Sequence, residues 1–441
     1  MAKEIYDILG VGIGPFNLGL AALLEPISGI KALFLEQKPE FIWHSGLLIE
    51  GSTIQVSFLA DLVTMVNPSS RFSYLKYLQE QSRLYHFYIL ERFQIPRREY
   101  NHYCQWVANQ LESCRFGQRV ESISWQETSA ESYFEVQVRD VSSQQIQTYL
   151  TRHLVLGVGS VPQVPNCFKD VLHAEKIFHS AEFLHRRDRP RTSKSVTILG
   201  SGQSAAEVFY ELLVEQETYG YQLHWHTRSS SFLPMEYTKL ALEHFSPDYI
   251  RYFYHLSAEV RSQILQQQTF FYKGISHETI TKIYDLLYER TIAGKKPPIH
   301  LLPLLEAKEV TPISTPNGTR YQIGYRHQQQ SERINHETDC IILATGYHHA
   351  IPTCISGLQN LIDWDNPGRY NVTFNYQVRL TKPVVNQIFV QNSELHTHGI
   401  GAPDLGLGAY RNAVIINSLT GKTIYPVNHS NVFQEFGVAV S

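Results

Sequence analysis

The 441-residue chain has little cysteine, no long apolar run and no block of like charge. Its five cysteines, Cys104, Cys114, Cys167, Cys340 and Cys354, are odd in number and form no C-x-x-C pair. That fits a reducing cytoplasm and argues against a disulfide framework, a zinc site or a dithiol redox centre. No stretch of 18 uncharged apolar residues exists, so no transmembrane helix is expected. The N-terminus lacks a signal peptide's long apolar core and small-residue cleavage site. Lys and Arg never run to five in succession and the net charge is −3, which argues against nucleic acid as a partner. The 20 histidines never take the spacing of H-E-x-x-H. Their closest groupings, His348-His349 and His396-Thr397-His398, give no reason to expect a metal.

What is present is an ordinary globular composition, 43% hydrophobic and 18% charged. The length exceeds one compact core, so two or three domains are expected. The first strong motif is "IYDILGVGIGPFNLGLAALL". Ile5 to Val11 reads as a buried strand and Leu18 to Leu24 as an apolar helix, with Gly12-x-Gly14-x-x-Asn17 between them. This is the dinucleotide fingerprint with asparagine in place of its third glycine. Gly12 permits the tight turn, and Gly14 lets the backbone approach a pyrophosphate at the helix N-terminus. A second strand, Ala32 to Leu35, ends at Glu36, placed to bind a ribose hydroxyl.

The pattern recurs in "SVTILGSGQSAAEVFYELL", where a strand ends at Leu199 and Gly200-x-Gly202-x-x-Ala205 leads into a helix from Ser204. The next strand, in "YQLHWHTRSSSF", ends at Thr227-Arg228-Ser229 rather than at an acid. Arginine among hydroxyls there suits the 2′-phosphate of NADP. Two such turns in one chain imply two dinucleotides, with FAD at the first and NADPH at the second passing hydride to the flavin. "HLVLGVGSVPQVP" and "DCIILATGYHHAIP" each read as a buried strand ending in small residues, where the chain crosses between domains near a cofactor.

"VGIGPFNLGLAAL", "FIWHSGLLIE", "IQVSFLADLVTMVNPSSRFSYLKYL", "FHSAEFL", "LGSGQSAAEVF", "ILATGY" and "HTHGIGAPDLGLGAYRNAVI" together resemble one family. It is the flavin-dependent N-hydroxylating monooxygenases of siderophore biosynthesis, the lysine and ornithine N-hydroxylases. The resemblance runs collinearly from about Tyr6 to Asn417. It implies an α/β fold with two Rossmann-like dinucleotide-binding domains and a smaller, mostly helical substrate portion. The boundaries expected are 1–165 with 350–441 for FAD, 166–235 with 300–349 for NADPH, and 236–299 for the helical portion. The resemblance also implies a homo-oligomer, a dimer or tetramer, and the cysteine usage places it in the cytoplasm. The chemistry it implies is reduction of FAD by NADPH, addition of O2 to give a C4a-hydroperoxyflavin, and oxygen transfer to a primary amine.

By the same resemblance, Gln55 is the candidate catalytic residue beside the flavin ring, within what reads as an apolar strand, and Trp43 and His44 line the isoalloxazine edge. Pro15, Asn17 and Leu405 join Gly12, Gly14 and Glu36 around FAD. Gln203, Ser204, Thr345 and Gly346 join Gly200, Gly202 and Arg228 as further cofactor contacts.

Amino-acid hydroxylases of the family carry lysine in the motif F-L-K-D-L, where it holds the substrate carboxylate. Here that position is Ala60. Leu242, Gly406 and Tyr272 likewise stand where amino-acid members carry polar groups. Burying a carboxylate without a partner costs several kcal/mol, so these four positions point to a substrate without one. Putrescine, cadaverine and histamine are the candidates, and L-lysine or L-ornithine is the alternative. Tyr237, Tyr272 and Glu243 are candidate partners for a second ammonium.

Overall fold

The computed structural model describes residues 4–438 apart from Ala130, Asn317 and His429. The strand Ile5–Val11 is the centre of the first sheet, parallel to Ala32–Leu35 on one side and Ile146–Leu156 on the other. The apolar stretches Ile8 to Val11, Leu33 to Leu35 and Leu154 to Leu156 are buried because both faces of the parallel part of the sheet are covered. Ile146–Leu156 changes partner along its length. Ile146 to Thr151 pair antiparallel with Ser132–Asp140, and Leu154 to Leu156 pair parallel with Ile388–Val390. The first sheet therefore draws on both halves of the chain.

The second sheet is fully parallel, in the order Ile299–Leu302, Gln222–His226, Ser195–Leu199, Cys340–Leu343, Ile177–His179. Its two faces are covered differently. The helix Gln203–Tyr219 packs Ala206 and Phe209 against Ile198, Trp225 and Ile342. The other face meets an antiparallel ribbon, Leu305–Thr315, Gly318–His327 and Arg333–Thr338, whose Tyr321, Ile323 and Tyr325 pack on Leu199, Ile341 and Leu343. The two sheets are joined where Val161–Pro162 pairs antiparallel with Tyr347–His348. A buried ion pair staples them further on. Arg97 donates to both oxygens of Glu207 at 2.8 Å, and both side chains are nearly inaccessible.

Within 236–299, the helices Pro247–Tyr254 and Ala258–Gln267 start on Ser246 and Ser257, whose hydroxyls accept the backbone N–H three residues on. Tyr249, Phe253 and Phe271 pack there against Ile400. The following helix, His277–Arg290, instead buries Ile283 in the cluster that holds Leu212 and Leu213, so it packs as part of the second sheet's body. No helix among the described residues is long and apolar enough to cross a membrane.

Candidate active site

At the first turn Gly12 has φ +85°, and a Cβ there would lie 2.7 Å from the carbonyl oxygen of Gly157. Gly14 caps the helix Pro15–Leu24 without any side-chain cap, and the space where its Cβ would project is open. The unsatisfied N–H groups of that helix are thus free for a pyrophosphate. Asn17 is buried and faces inward. Its amide donates to the carbonyls of Gly12 (2.7 Å) and Val11 (3.3 Å) and accepts from Gln391 (2.8 Å), so it fixes the turn's shape. Glu36 accepts from the backbone of Ile13 at 3.0 Å, at the end of the second strand.

The stretch around Gln55 is not a strand. Residues 55–68 run as successive turns and bends, whose backbone donors find local carbonyls, the Tyr103 hydroxyl and the Asp61 carboxylate in place of a sheet ladder. The buried Asp61 carboxylate accepts from the backbone of Val63 (2.9 Å), Thr64 (2.6 Å) and Tyr74 (2.7 Å) and from the Thr64 hydroxyl (2.6 Å). Burial still pushes its pKa up. In this frame the Gln55 amide nitrogen is buried without a partner. An orphaned buried donor costs about 1–3 kcal/mol and fits a group awaiting a ligand. Trp43 is held through its backbone by Asn101 (2.8 Å), with its ring edge-on to Tyr100 at 5.2 Å. His44 sits in the left-handed region at φ 53°, between the rings of Trp43 and Tyr347. The side chains of this cleft therefore fit a flavin.

At the second turn a Cβ on Gly200 (φ +143°) would collide with the carbonyl oxygen of Ala344, and Gly202 caps its helix with no side-chain bond. Ser204 is half-buried in the first turn of that helix. The Gln203 amide is fully engaged, donating to Glu207 and Thr279 at 3.0 Å each and accepting from the backbone of Ser276 at 2.7 Å. Arg228 is exposed and makes no ion pair among the described residues, while its neighbour Ser229 bonds Ser201 across the turn at 2.8 Å. An uncommitted guanidinium beside two hydroxyls suits a phosphate. The Thr345 hydroxyl bonds the carbonyl of Gln163, and the Gly346 carbonyl accepts from Gln163 (2.8 Å) and pairs with His179 (3.1 Å), so both residues lock the crossing between sheets.

Of the substrate candidates, Ala60 and Gly406 come together. A Cβ on Gly406 would lie 3.7 Å from that of Ala60 and 2.9 Å from the Asp404 carboxylate. Asp404 was not among the sequence candidates, although it is the one acid in "HTHGIGAPDLGLGAYRNAVI". It caps the turn Leu405–Leu407, accepting from Leu407 at 3.2 Å, and burial raises its pKa to about 6. Leu405 is half-buried against the first sheet's core. Nearby, Arg411 is fully buried 3.1 Å from Glu394 and donates to the Ala402 carbonyl. Tyr237 lies close enough to Asp404 for the carboxylate to help burial raise its pKa. The other candidates have different company. Leu242 is 41% exposed, Tyr272 packs in the aromatic cluster beside Phe271, and Glu243 accepts from the backbone of Phe433 and Gln434. The fold also gathers three histidines that sequence spacing does not reveal, His224, His226 and His336.

Comparison with known proteins agrees with this geometry. The family described as L-lysine 6-monooxygenase/L-ornithine 5-monooxygenase matches residues 4–349. A putrescine N-hydroxylase of Shewanella oneidensis is 44% identical over 98% of this chain and 84% of its own. The crystal structure of DfoA bound to FAD, the cadaverine monooxygenase of the desferrioxamine pathway in Erwinia amylovora, superposes with a TM-score of 0.93 at 40% identity, covering both chains fully. An ornithine N-hydroxylase of Kutzneria sp. 744 with reduced FAD, NADP+ and L-ornithine is more distant, with 27% identity and a TM-score of 0.87 over 95% of this chain and 99% of that one. FAD and NADPH are the cofactors and O2 the co-substrate. With a dinucleotide turn on each of its two sheets and a matching sequence over most of its length, the chain belongs to the flavin-dependent L-lysine 6-monooxygenase/L-ornithine 5-monooxygenase family.

Proposed function

We propose that the enzyme N-hydroxylates one end of a linear diamine, putrescine or cadaverine, to supply a hydroxylamine for a hydroxamate siderophore. The observation that carries this is the Asp404 carboxylate beside Ala60 and Gly406. A cation would be needed there to hold an amino acid's carboxylate; an anion suits the distal ammonium of a diamine. Histamine gains less from Asp404, because its imidazole, with a reference pKa near ~6.5, is mostly neutral above pH 7.

Bound FAD, reduced by NADPH, activates O2 and supplies the oxygen that is transferred. The chain's own part is positioning and exclusion of water. A primary ammonium has a reference pKa near ~10.4, so presenting its lone pair at pH 7 costs about 4–5 kcal/mol. A desolvated pocket offsets part of that by disfavouring the charged form. Gln55 is the donor available beside the flavin, and Asp404 holds one ammonium of the symmetric diamine so that the other amine is presented to the flavin.

The test is hydroxylamine formation across putrescine, cadaverine, histamine, ornithine and lysine. Putrescine or cadaverine should exceed its parent amino acid in kcat/KM by roughly a hundredfold, the effect of ~2.7 kcal/mol lost to an unpaired carboxylate. Equal turnover of amine and amino acid would overturn the substrate reading.

A further inference from the structure

His224 and His226 are two residues apart on the strand Gln222–His226, so both face the antiparallel ribbon. Trp225 between them faces the other way and stacks on Phe209. From the ribbon, His336 brings its ring centroid to 4.4 Å from that of His224 and 4.8 Å from that of His226. One ring nitrogen from each of the three lies within 4.8 Å of the others.

Two of the three rings are held in place by hydrogen bonds. His226 Nδ1 pairs with the Tyr325 hydroxyl at 2.9 Å, which leaves its Nε2 buried and without a partner. His336 Nε2 pairs with the Thr197 hydroxyl at 2.9 Å, which leaves its Nδ1 for another ligand. Metal-binding imidazoles are oriented in this manner, one nitrogen on the ion and the other on a fixed hydrogen-bonding group.

We propose that His224, His226 and His336 bind one divalent transition-metal ion, with zinc the ion of choice. Three imidazoles and one open position suit zinc's tetrahedral preference. Zinc–nitrogen bonds of ~2.05 Å place tetrahedral ligands about 3.3 Å apart. The three rings must therefore close by about 1.5 Å at most, which side-chain rotation can supply. An ion there would clamp the ribbon to the parallel sheet, two residues before Arg228. The role is structural, separate from the amine chemistry, and the inference does not depend on the substrate.

The test uses untagged, FAD-loaded enzyme freed of metal with a chelator. Zn2+ is titrated by calorimetry, and Co2+ serves as an optical probe of tetrahedral coordination. One equivalent per chain should bind, raise Tm, and give the Co2+ absorption of a tetrahedral nitrogen-rich site. His336→Gln, on the half-exposed face of the ribbon, should weaken binding at least tenfold, and His226→Gln likewise. His173→Gln, at an exposed histidine elsewhere, should leave it unchanged. Absence of one-equivalent binding to the parent enzyme would overturn the proposal. So would binding that persists unweakened in His336→Gln.

Discussion

Asp404→Asn separates the proposed role of Asp404 from every structural one. The amide keeps the carboxylate's shape and can still accept from the Leu407 backbone, so the turn Leu405–Leu407 should survive. What is lost is a charge-assisted bond to the distal ammonium. Such bonds are worth about 1.5–3 kcal/mol, and the half-buried setting of Asp404 favours the lower part of that range. The kcat/KM for putrescine or cadaverine should fall roughly 10- to 30-fold, chiefly through KM. A monoamine of the same length, butylamine or pentylamine, has no distal ammonium and should lose almost nothing. The readout is the ratio of these two losses, obtained from hydroxylamine formation. The pH dependence adds a second check. The carboxylate pairs an ammonium only when ionised, and its pKa stands near 6. The preference for diamine over monoamine should therefore be full above pH 7 and fade as pH falls through about 6. A loss that is equal for diamine and monoamine would refute the reasoning, because Asp404 would then be holding the fold.

Ala60→Lys sets an ammonium beside Asp404. Alone it should suppress diamine turnover by occupying the carboxylate, and with Asp404→Asn it should narrow the gap between amine and amino acid; unchanged selectivity in the double variant would count against the site. Gln55→Ala should leave flavin reduction near the parent rate and divert oxygen consumption into hydrogen peroxide, as measured by hydroxylamine formed per NADPH oxidised. Arg228→Ala should raise KM for NADPH by tenfold or more, about the value of one charge-assisted phosphate contact, and leave KM for NADH nearly unchanged. Glu207→Gln strips the buried Arg97 of its counter-charge, a change that costs about 3–5 kcal/mol in buried pairs. It should lower the urea midpoint and slow hydride transfer, and an unchanged midpoint would remove the pair from the domain joint.

Some of this was legible in the sequence. Ile5–Val11 and Ala32–Leu35 were read with their observed bounds because doubly covered parallel strands are mainly apolar and end at turn residues. The segment 55–68 is as apolar, yet it coils. Its backbone donors go to scattered acceptors, among them the Asp61 carboxylate and the Tyr103 hydroxyl, and no periodicity reports a bond such as that from the Tyr74 backbone to Asp61, thirteen residues away. Asp404 stayed hidden for a related reason. Its meaning comes from Ala60, more than 300 residues away in sequence, and only the fold sets the two on either side of Gly406. The three clustered histidines were invisible on the same ground, since His336 arrives on a separate ribbon.

The substituted third glycine of the first turn shows how a motif can keep its physics while changing its letters. That glycine normally lets helix and strand approach closely. Here Asn17 occupies the position and spends its amide on the carbonyls of Val11 and Gly12, so the turn is held by hydrogen bonds to a side chain. The space for that side chain comes from the neighbouring strand end. A Cβ on Gly157 would lie 2.5 Å from the Asn17 amide, and the Gly157 carbonyl itself abuts Gly12. The demand for a missing Cβ has moved from the helix to the end of Ile146–Leu156, which is why "LGVGS" ends in small residues. The second turn divides the demand in another way. Ala205 stands third there, and Gly200 presses on the Ala344 carbonyl at the end of "IILA". Each glycine-rich turn and the small-residue strand end beside it are thus one packing unit, and the two must vary together for the dinucleotide to keep its place.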